Sequence, residues 1–251
     1  MSVIGVAAGK GAPGVTTTVL ALASAWAPDR ALTVIDLDLG GGDIGGWLDL
    51  PATPNLSTLA ADARRSLEPE DLRAAALPLP GRGTVGVLPG ARSPEEAAVA
   101  LELLDRARFG DVLQRASAVE DGMDVLIDLG RVDDPSSVSS VLASLDLLLL
   151  VLRPTWPQVH HVGTRLPGLR SRAPVGLVLI GEAPYGAGEV AGALGAEVTG
   201  VLADDGAAAG TFDGSVRRVR GLERSRLWRT AAVLADRLRA VQPAQGSTVP
   251  C

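Results

Sequence analysis

The chain of 251 residues is long enough for one large α/β domain, and because only 3% of it is aromatic, alanine, valine and leucine must form the core. The net charge is −6, and the single cysteine, Cys251, excludes an internal disulfide and is typical of a reducing compartment. No signal peptide and no apolar stretch of membrane-spanning length is recognisable, so we expect a cytoplasmic protein without an integral membrane segment.

Short runs rich in valine, isoleucine and leucine predict buried strands. The runs cover residues 3–8, 31–36, 85–88, 124–129, 147–152, 175–180 and 198–202. They are apolar almost throughout rather than alternating, which is typical of strands that helices cover on both faces.

Helices are predicted between these strands. They cover residues 16–26, 109–119, 136–144 and 223–241. A further helix is predicted to begin at Ser93-Pro94-Glu95-Glu96, which has an N-cap serine, a proline and acidic residues in the first turn. The alternation predicts an α/β fold with a doubly wound, mainly parallel sheet flanked by helices. We expect a single domain over residues 1–241 and a disordered tail over 242–251.

A glycine-rich loop follows the first predicted strand and opens the first predicted helix. Its residues are Gly9, Lys10, Gly11, Ala12, Pro13, Gly14, Val15, Thr16 and Thr17. Gly9, Gly14 and Thr16 match the fixed positions of the phosphate-loop pattern G-x-x-x-x-G-K-[ST]. Glycines let backbone N–H groups converge on phosphate oxygens, and the threonine hydroxyl suits Mg²⁺. We therefore predict that this loop binds the phosphates of a nucleotide.

One position of the pattern is not met. Val15 stands where the lysine of a phosphate loop reaches the β- and γ-phosphates. The loss of such a charged contact costs about 1.5–3 kcal/mol, or roughly ten- to a hundredfold in affinity. It also removes stabilisation of the transition state of phosphoryl transfer, so little or no ATP hydrolysis is expected.

Lys10 is the only lysine of the chain. Its place before Gly11 resembles the deviant Walker A motif K-G-G-x-G-K-T-T of the ParA/MinD family. The matching positions are Lys10, Gly11, Gly14, Thr16 and Thr17, and the departing positions are Ala12 and Val15. The resemblance implies that Lys10 acts in trans, crossing the interface of a nucleotide-sandwich homodimer to contact the partner's phosphates. The alternative is a solvated surface lysine.

The second predicted strand ends in D-x-D, formed by Asp36 and Asp38, and Leu39-Gly40-Gly41-Gly42-Asp43 follows. This resembles the second motif of the same family and is most similar to its CpaE/TadZ branch, where L-G-x-G-D follows. The resemblance implies that Asp38 positions the attacking water and that Asp36 lies near the metal. Carboxylates at the carboxyl end of a strand beside a phosphate loop suit Mg²⁺. A role in the turn is an equal alternative for Asp43.

Residues 124–130 resemble a Walker B strand, which implies that Asp128 holds Mg²⁺ through water. The predicted metal ligands are therefore Thr16, Asp36 and Asp128. Residues 130–134 would then form a switch that senses the γ-phosphate. After the strand at 175–180, the family commonly has an asparagine that reads adenine, whereas this chain has Gly181-Glu182, so the base is not predicted.

Two polar clusters remain. His160 and His161 are neighbours without a third histidine, so we expect them on a helix surface rather than at a metal. Trp156 and Pro157 are expected to open that helix. The segment from Arg217 to Arg239 carries eight arginines, which predicts either nonspecific DNA binding or the solvated face of a docked amphipathic helix.

The resemblance implies a spatial-positioning protein of the ParA/MinD/CpaE kind. It would be a homodimer switched by ATP or ADP with Mg²⁺, with weak or absent hydrolysis, and would bind a protein partner in Flp/Tad-type pilus or secretion assembly. Such a dimer would be recruited to a pole, a septum or a membrane complex. One alternative is a scaffold that has lost nucleotide turnover, and another is a partition ATPase associated with DNA.

Overall fold

The computed structural model describes residues 2–11, 13–64, 66–118, 123–132, 134–216 and 221–239. Several sequence predictions fall outside these ranges. They are the role of Ala12 in the phosphate loop, Asp133 of the switch, Arg217, Arg218 and Arg220 of the basic cluster, and the tail at 242–251.

The strands follow in chain order. They are β1 (Val3–Ala8), β2 (Leu32–Asp36), β3 (Leu77–Leu79), β4 (Arg82–Leu88), β5 (Asp124–Arg131), β6 (Leu147–Leu152), β7 (Val175–Ile180) and β8 (Val198–Leu202). The α-helices are α1 (Val15–Ala25), α2 (Ile44–Trp47), α3 (Leu56–Asp62), α4 (Pro69–Ala75), α5 (Pro94–Arg106), α6 (Phe109–Ala118), α7 (Ser139–Ala143), α8 (Trp156–Arg170), α9 (Ala187–Leu194), α10 (Gly206–Ala209) and α11 (Arg226–Leu238).

The described strands form one sheet in the order β3-β4-β2-β5-β1-β6-β7-β8. The pairs are parallel except for the edge pair β3–β4, which is antiparallel. The predicted α/β fold with a doubly wound, mainly parallel sheet is therefore confirmed. β1 lies between β5 and β6, and β5 pairs with β2, so the carboxyl ends of β1, β2 and β5 meet at one edge of the sheet.

Alternate residues of the central strands face two separate apolar layers. Val3 and Ala7 of β1 face the layer that covers one side, which includes buried residues of α3 to α9. Ile4 and Val6 face the other layer, which is formed largely by α1 and α11. Because both faces are buried, each strand reads as continuously apolar, as the sequence indicated.

A buried carboxylate holds together the amino ends of the strands, on the side of the sheet opposite the phosphate loop. Asp124, at the start of β5, is fully buried and accepts the N–H of Ser2 at 3.0 Å and the indole N–H of Trp26 at 3.2 Å. The guanidinium of Arg30 donates to it at 2.6 Å. This network joins the amino end of the sheet to the segment after α1, far from the phosphate loop.

Several details differ from the sequence predictions, and the helices α2, α3, α4, α9 and α10 were not predicted. The antiparallel strand β3 was not predicted. The helix predicted at 136–144 is divided into a 3₁₀ turn at Pro135–Val138 and the short α7, because the backbone of Val138 (φ −125°, ψ 26°) is not α-helical. Asp134 caps the 3₁₀ turn by accepting the N–H of Ser136 at 2.9 Å. The helix predicted at 223–241 begins at Arg226, since Ser225 supplies the N-cap.

Candidate functional site

The predicted phosphate loop connects β1 to α1. Gly11 and Gly14 have φ angles of 73° and 100°, which residues with a side chain rarely adopt. The N–H of Thr18 donates to the carbonyl of Gly14 at 2.8 Å, and no described side chain caps the helix. The first N–H groups of α1 are therefore free to bind an anion at the helix N-terminus.

A cleft of about 320 Å³ opens over this loop. Its walls are formed by Ala8, Gly11, Gly14, Val15, Thr16, Thr17, Asp38, Asp43, Trp47, Gly130 and Arg131. The cleft thus brings together the phosphate loop, the D-x-D segment and the end of the Walker B-like strand. The sequence had indicated these three segments one by one.

Two carboxylates are buried below the cleft at the carboxyl ends of β2 and β5. Asp36 and Asp128 are register partners on these neighbouring strands, and each residue is 1% exposed. The N–H of Ile44 donates to Asp36 Oδ2 at 3.0 Å, and the N–H of Gly130 donates to Asp128 Oδ1 at 2.9 Å. The half-buried Asp38 adds a third carboxylate, whose Oδ1 accepts the N–H of Gly40 at 2.7 Å.

The negative charge of this carboxylate cluster favours the binding of a cation. Burial, together with the negative charges of Asp36 and Asp38, raises the pKa of Asp128 to about 8, although the N–H of Gly130 and the nearby Thr16 hydroxyl oppose the shift. Burial also raises the pKa of Asp36 to about 6, although backbone donors partly oppose it. The pKa of Asp38 is raised by burial as well. A positive charge placed among these groups would stabilise their ionised forms.

Among the described residues, the buried Oδ2 of Asp128 has no hydrogen-bond partner. The hydroxyl of Thr16 is close enough to lower the pKa of Asp128, yet it does not complete a hydrogen bond to that oxygen. Burying an unpaired carboxylate oxygen is costly unless a cation or a donor reaches it. The orphaned oxygen therefore fits a cation bound between Asp128 and Thr16.

Mg²⁺ matches this donor set. It is usually held by one or two carboxylates together with waters and phosphate oxygens rather than by an all-protein cage. In the part of the chain that the structure describes, no three histidine, cysteine, aspartate or glutamate side chains converge on one metal position. Thr16, Asp36 and Asp128 are thus suited to a Mg²⁺ that shares its ligands with a bound phosphate.

Val15 is buried behind the phosphate loop, whereas Lys10 is exposed. Val15 is 7% exposed and packs in the apolar layer behind the loop, so it brings no charge to the cleft. Lys10 is exposed, and its Nζ lies 2.7 Å from Nε2 of His161 on α8. The one lysine of the chain therefore lies on the outer surface against α8. The sequence did not predict the contact with His161.

A smaller pocket of about 110 Å³ adjoins the loop on the side of β6, β7 and β8. Pro13, Gly14 and Thr17 form its phosphate-loop side, and Ile180 and Leu227 contribute apolar surface. An ion pair between the Arg153 guanidinium and the Asp204 carboxylate forms its polar wall, with a second contact at 3.1 Å.

The pocket lies at the end of β7, after which the family commonly has the asparagine that reads adenine, and here the ion pair of Arg153 and Asp204 supplies its charged groups. Arg153 lowers the pKa of Asp204, so the carboxylate is charged at neutral pH. Glu182, which follows β7, is exposed and does not line the pocket. The sequence gave no signal for the ion pair, because its two residues follow strands that β7 separates in the sheet.

The two remaining clusters lie outside the cleft. His160 and His161 are on α8, as predicted, and Trp156 and Pro157 begin that helix. On α11, Leu227, Leu234 and other apolar residues are buried against the sheet and α1. The described arginines of the basic cluster are Arg224, Arg226, Arg229, Arg237 and Arg239. The amphipathic helix is confirmed, and DNA binding stays a prediction.

No described helix is long and apolar enough to cross a membrane. No protein-family model and no curated protein matches the sequence.

Solved structures do match. MinD of Pyrococcus furiosus, a cell division ATPase, has a TM-score of 0.74 and 20% identity, over 96% of this chain and 99% of its own. The septum site-determining protein MinD of Pyrococcus horikoshii, complexed with Mg-ADP, has a TM-score of 0.73 and 20% identity, over 98% and 99%. A ParA family ATPase of Chlorobium tepidum has a TM-score of 0.70 and 19% identity, over 94% and 98%. The chain therefore has the MinD/ParA type of P-loop NTPase fold.

Proposed function

We propose that this chain is a positioning protein of the ParA/MinD type, in which MgATP joins two copies and the dimer docks a protein partner. The observation that carries the proposal is the unpaired, buried Oδ2 of Asp128 beside Thr16, at the base of a glycine loop built for phosphate. The Mg-ADP complex of the P. horikoshii protein supports nucleotide and Mg²⁺ as the ligands.

Thr16, Asp36 and Asp128 would hold Mg²⁺, directly or through water. The ion would supply the positive charge that the carboxylate cluster lacks and would bridge it to the phosphates. The backbone N–H groups of the loop and of the first turn of α1 would hold the phosphate oxygens.

Lys10 would act between the two copies. Its exposed position at the edge of the phosphate loop supports a contact in trans, because the ammonium group lies on the outer surface. In the dimer it would leave His161 and reach the phosphates bound by the partner. The nucleotide would then stabilise the dimer from both sides of its interface.

Hydrolysis is proposed to be weak or absent. Asp38 lines the cleft and is suited to hold a water by its carboxylate. Val15, however, leaves the developing charge on the phosphates without a lysine of the same chain. Nucleotide binding and release, rather than rapid turnover, would set the lifetime of the dimer.

We further propose that the partner belongs to a Flp/Tad-type pilus or secretion machine, as in the CpaE/TadZ branch. The support for this is the resemblance of the L-G-G-G-D segment to the L-G-x-G-D of that branch. A Cβ atom at Gly42 would lie 2.6 Å from Asp36 Oδ2 and from the Cα atom of Gly90. The glycine of that motif is thus required for the turn that covers Asp36. The dimer would be recruited from the cytoplasm to a pole, a septum or a membrane complex.

The test is the mass of the full chain by light scattering and its melting temperature, each with and without MgATP. We expect the mass to double and the melting temperature to rise. The Lys10→Ala variant should still bind nucleotide but stay monomeric. Unchanged mass and melting temperature at MgATP concentrations of several millimolar would refute the proposal.

A second candidate is a scaffold that has lost nucleotide binding, which the buried Val15 favours. The same measurements separate the two functions. A scaffold would respond to neither ATP nor ADP, and its variants Lys10→Ala and Thr16→Ala would be indistinguishable from the wild type in both assays.

A further inference from the structure

A second pocket, of about 380 Å³, lies between α8 and α9. It is lined by Trp156, Val159, His160, Tyr185, Glu189, Val190 and Ala193, and it shares no residue with the cleft over the phosphate loop. Its composition is unusual for this chain, because Trp156 and Tyr185 line it beside the ring of His160 in a protein that is only 3% phenylalanine, tyrosine and tryptophan.

The first wall of the pocket is a stacked pair of rings. Trp156 is 64% exposed, although a tryptophan side chain is usually well buried. Its ring is parallel to that of His160, with 5.1 Å between the centroids and 4° between the planes. The stack holds the indole at the surface on the first turns of α8 and leaves much of it accessible to a ligand.

The opposite wall carries Tyr185 and Glu189. The N–H of Tyr185 donates to the carbonyl of Pro154 at 3.3 Å, which ties the loop before α9 to the start of α8. Glu189 is exposed, and its Oε2 accepts the N–H of Gly186 at 2.8 Å, so the carboxylate is held at the N-terminus of α9. The backbone at Tyr185 and the carboxylate of Glu189 are therefore held in place before any ligand binds.

This combination matches a cation with an apolar stem. Aromatic faces attract a guanidinium or ammonium group, and tryptophan does so best. The carboxylate of Glu189 adds an opposite charge, and Val190 and Ala193 offer apolar surface to a methylene chain. A phosphate would be repelled by Glu189, and a purely apolar group would desolvate it without compensation.

We propose that the pocket between α8 and α9 binds an arginine side chain of a protein partner. The planar guanidinium stacks on the Trp156 indole and donates to the Glu189 carboxylate, and its methylene chain lies over Val190. The inference goes beyond the nucleotide switch and does not depend on it, so its test is made without nucleotide.

The experiment titrates the full chain with two short peptides, acetyl-Gly-Arg-Gly-amide and its citrulline counterpart, followed by the NMR signal of the Trp156 indole N–H. Citrulline has the same shape as arginine and no charge. At about pH 8, where histidine is ordinarily neutral, we expect the arginine peptide to shift the indole signal saturably. The citrulline peptide should bind at least about fivefold more weakly.

Three variants test the walls, two expected to weaken binding and one expected to leave it unchanged, with the amide signals of α9 as the readout. Trp156→Leu keeps an apolar side chain and should abolish binding of the arginine peptide. Glu189→Gln keeps an oxygen for the Gly186 N–H and hence the helix cap, yet it should weaken binding roughly threefold. Tyr185→Phe keeps the ring and should bind as the wild type does.

Equal affinity for the two peptides would overturn the proposal and would identify the pocket as an uncharged docking groove. Arginine binding that is unchanged in both Trp156→Leu and Glu189→Gln would overturn it as well. The same holds if neither peptide moves the indole signal at concentrations of the order of 50 mM, where even an exposed cation–π contact is populated.

Discussion

The carboxylate of Asp38 lies directly against Gly130, so that a Cβ atom at position 130 would stand only 2.0 Å from Asp38 Oδ2. Gly130 also has a φ angle of +56°, a conformation that strains residues with a side chain. The D-x-D segment after β2 and the end of β5 are therefore fitted to each other. A movement of the segment after β5 would move the carboxylate that we expect to hold the water.

Replacing Gly130 with alanine is expected to displace Asp38 and to lower the free energy of unfolding by about 1–3 kcal/mol. Urea unfolding measures the loss. Gly168→Ala in α8 is the control, because a Cβ atom there meets no atom within 4 Å and alanine favours a helix. An equal loss in the two variants would contradict the fit between Asp38 and Gly130.

The stability of the nucleotide-free protein is expected to fall as the pH rises. The raised pKa values of Asp36, about 6, and Asp128, about 8, mean that the folded protein retains protons that the unfolded chain has released. The stabilising contribution is complete below about pH 4, the ordinary aspartate pKa. It is lost as the pH rises through the folded-state values of about 6 and about 8.

The measurement is the urea midpoint of the wild type and of Asp128→Asn from about pH 5 to about pH 9. The asparagine does not titrate, so the difference between the two curves reports the carboxylate of Asp128 together with its effect on the pKa of Asp36. Mg²⁺ should stabilise the wild type more at the upper end of this range, because the ion competes with the proton. Parallel curves would show that Asp128 ionises normally.

The sequence predicted the parts of the site that depend on local pattern. The glycine spacing predicts the phosphate loop, and the apolar run before Asp128 predicts a strand. The strand order then brings the two together. The short edge strand β3 was not predicted from the sequence, because its three residues include Pro78, which disfavours a strand assignment.

Contacts between distant side chains could not be predicted. Lys10 and His161 are 151 positions apart, and Arg153 and Asp204 are 51 apart. Each residue alone is typical of a solvated surface, and nothing in a single sequence states which charges meet. The pockets that depend on such contacts therefore required the structure.

Removal of His161 is expected to favour the dimer. The ammonium group of Lys10 donates to a ring nitrogen of His161 in the single chain, and this contact must break before the lysine reaches a partner. His161→Ala should therefore dimerise with MgATP at a protein concentration roughly five- to thirtyfold lower, since one such contact breaks in each of the two copies and each is worth about 0.5–1 kcal/mol. Light scattering over a dilution series measures the shift.

His160→Ala is the matched control, because His160 stacks on Trp156 and carries no hydrogen bond to Lys10 among the described contacts. It should dimerise as the wild type does. If His161→Ala instead weakens the dimer, the histidine helps Lys10 in the assembled state.

The buried network at the amino edge of the sheet gives a stability prediction that is separate from the cleft. Asp124→Ala removes the acceptor of the Ser2 N–H and leaves the guanidinium of Arg30, only 23% exposed, without its carboxylate. We expect a loss of about 3–5 kcal/mol in the free energy of unfolding. Asp29→Ala, at an exposed position of the same segment, should be close to neutral, and similar losses would argue against the network.

Restoring the lysine at position 15 tests how much of the site is intact. In Val15→Lys the methylene groups can replace part of the buried valine contacts while the ammonium reaches the cleft, which Val15 already lines. We expect MgATP to bind roughly ten- to a hundredfold more tightly, and hydrolysis to become measurable if Asp38 can hold a water. Val15→Met, which adds length without charge, should give neither gain. A lysine variant with no gain in calorimetry would mean that the carboxylates and the loop no longer form a working site, and the scaffold function would then be favoured.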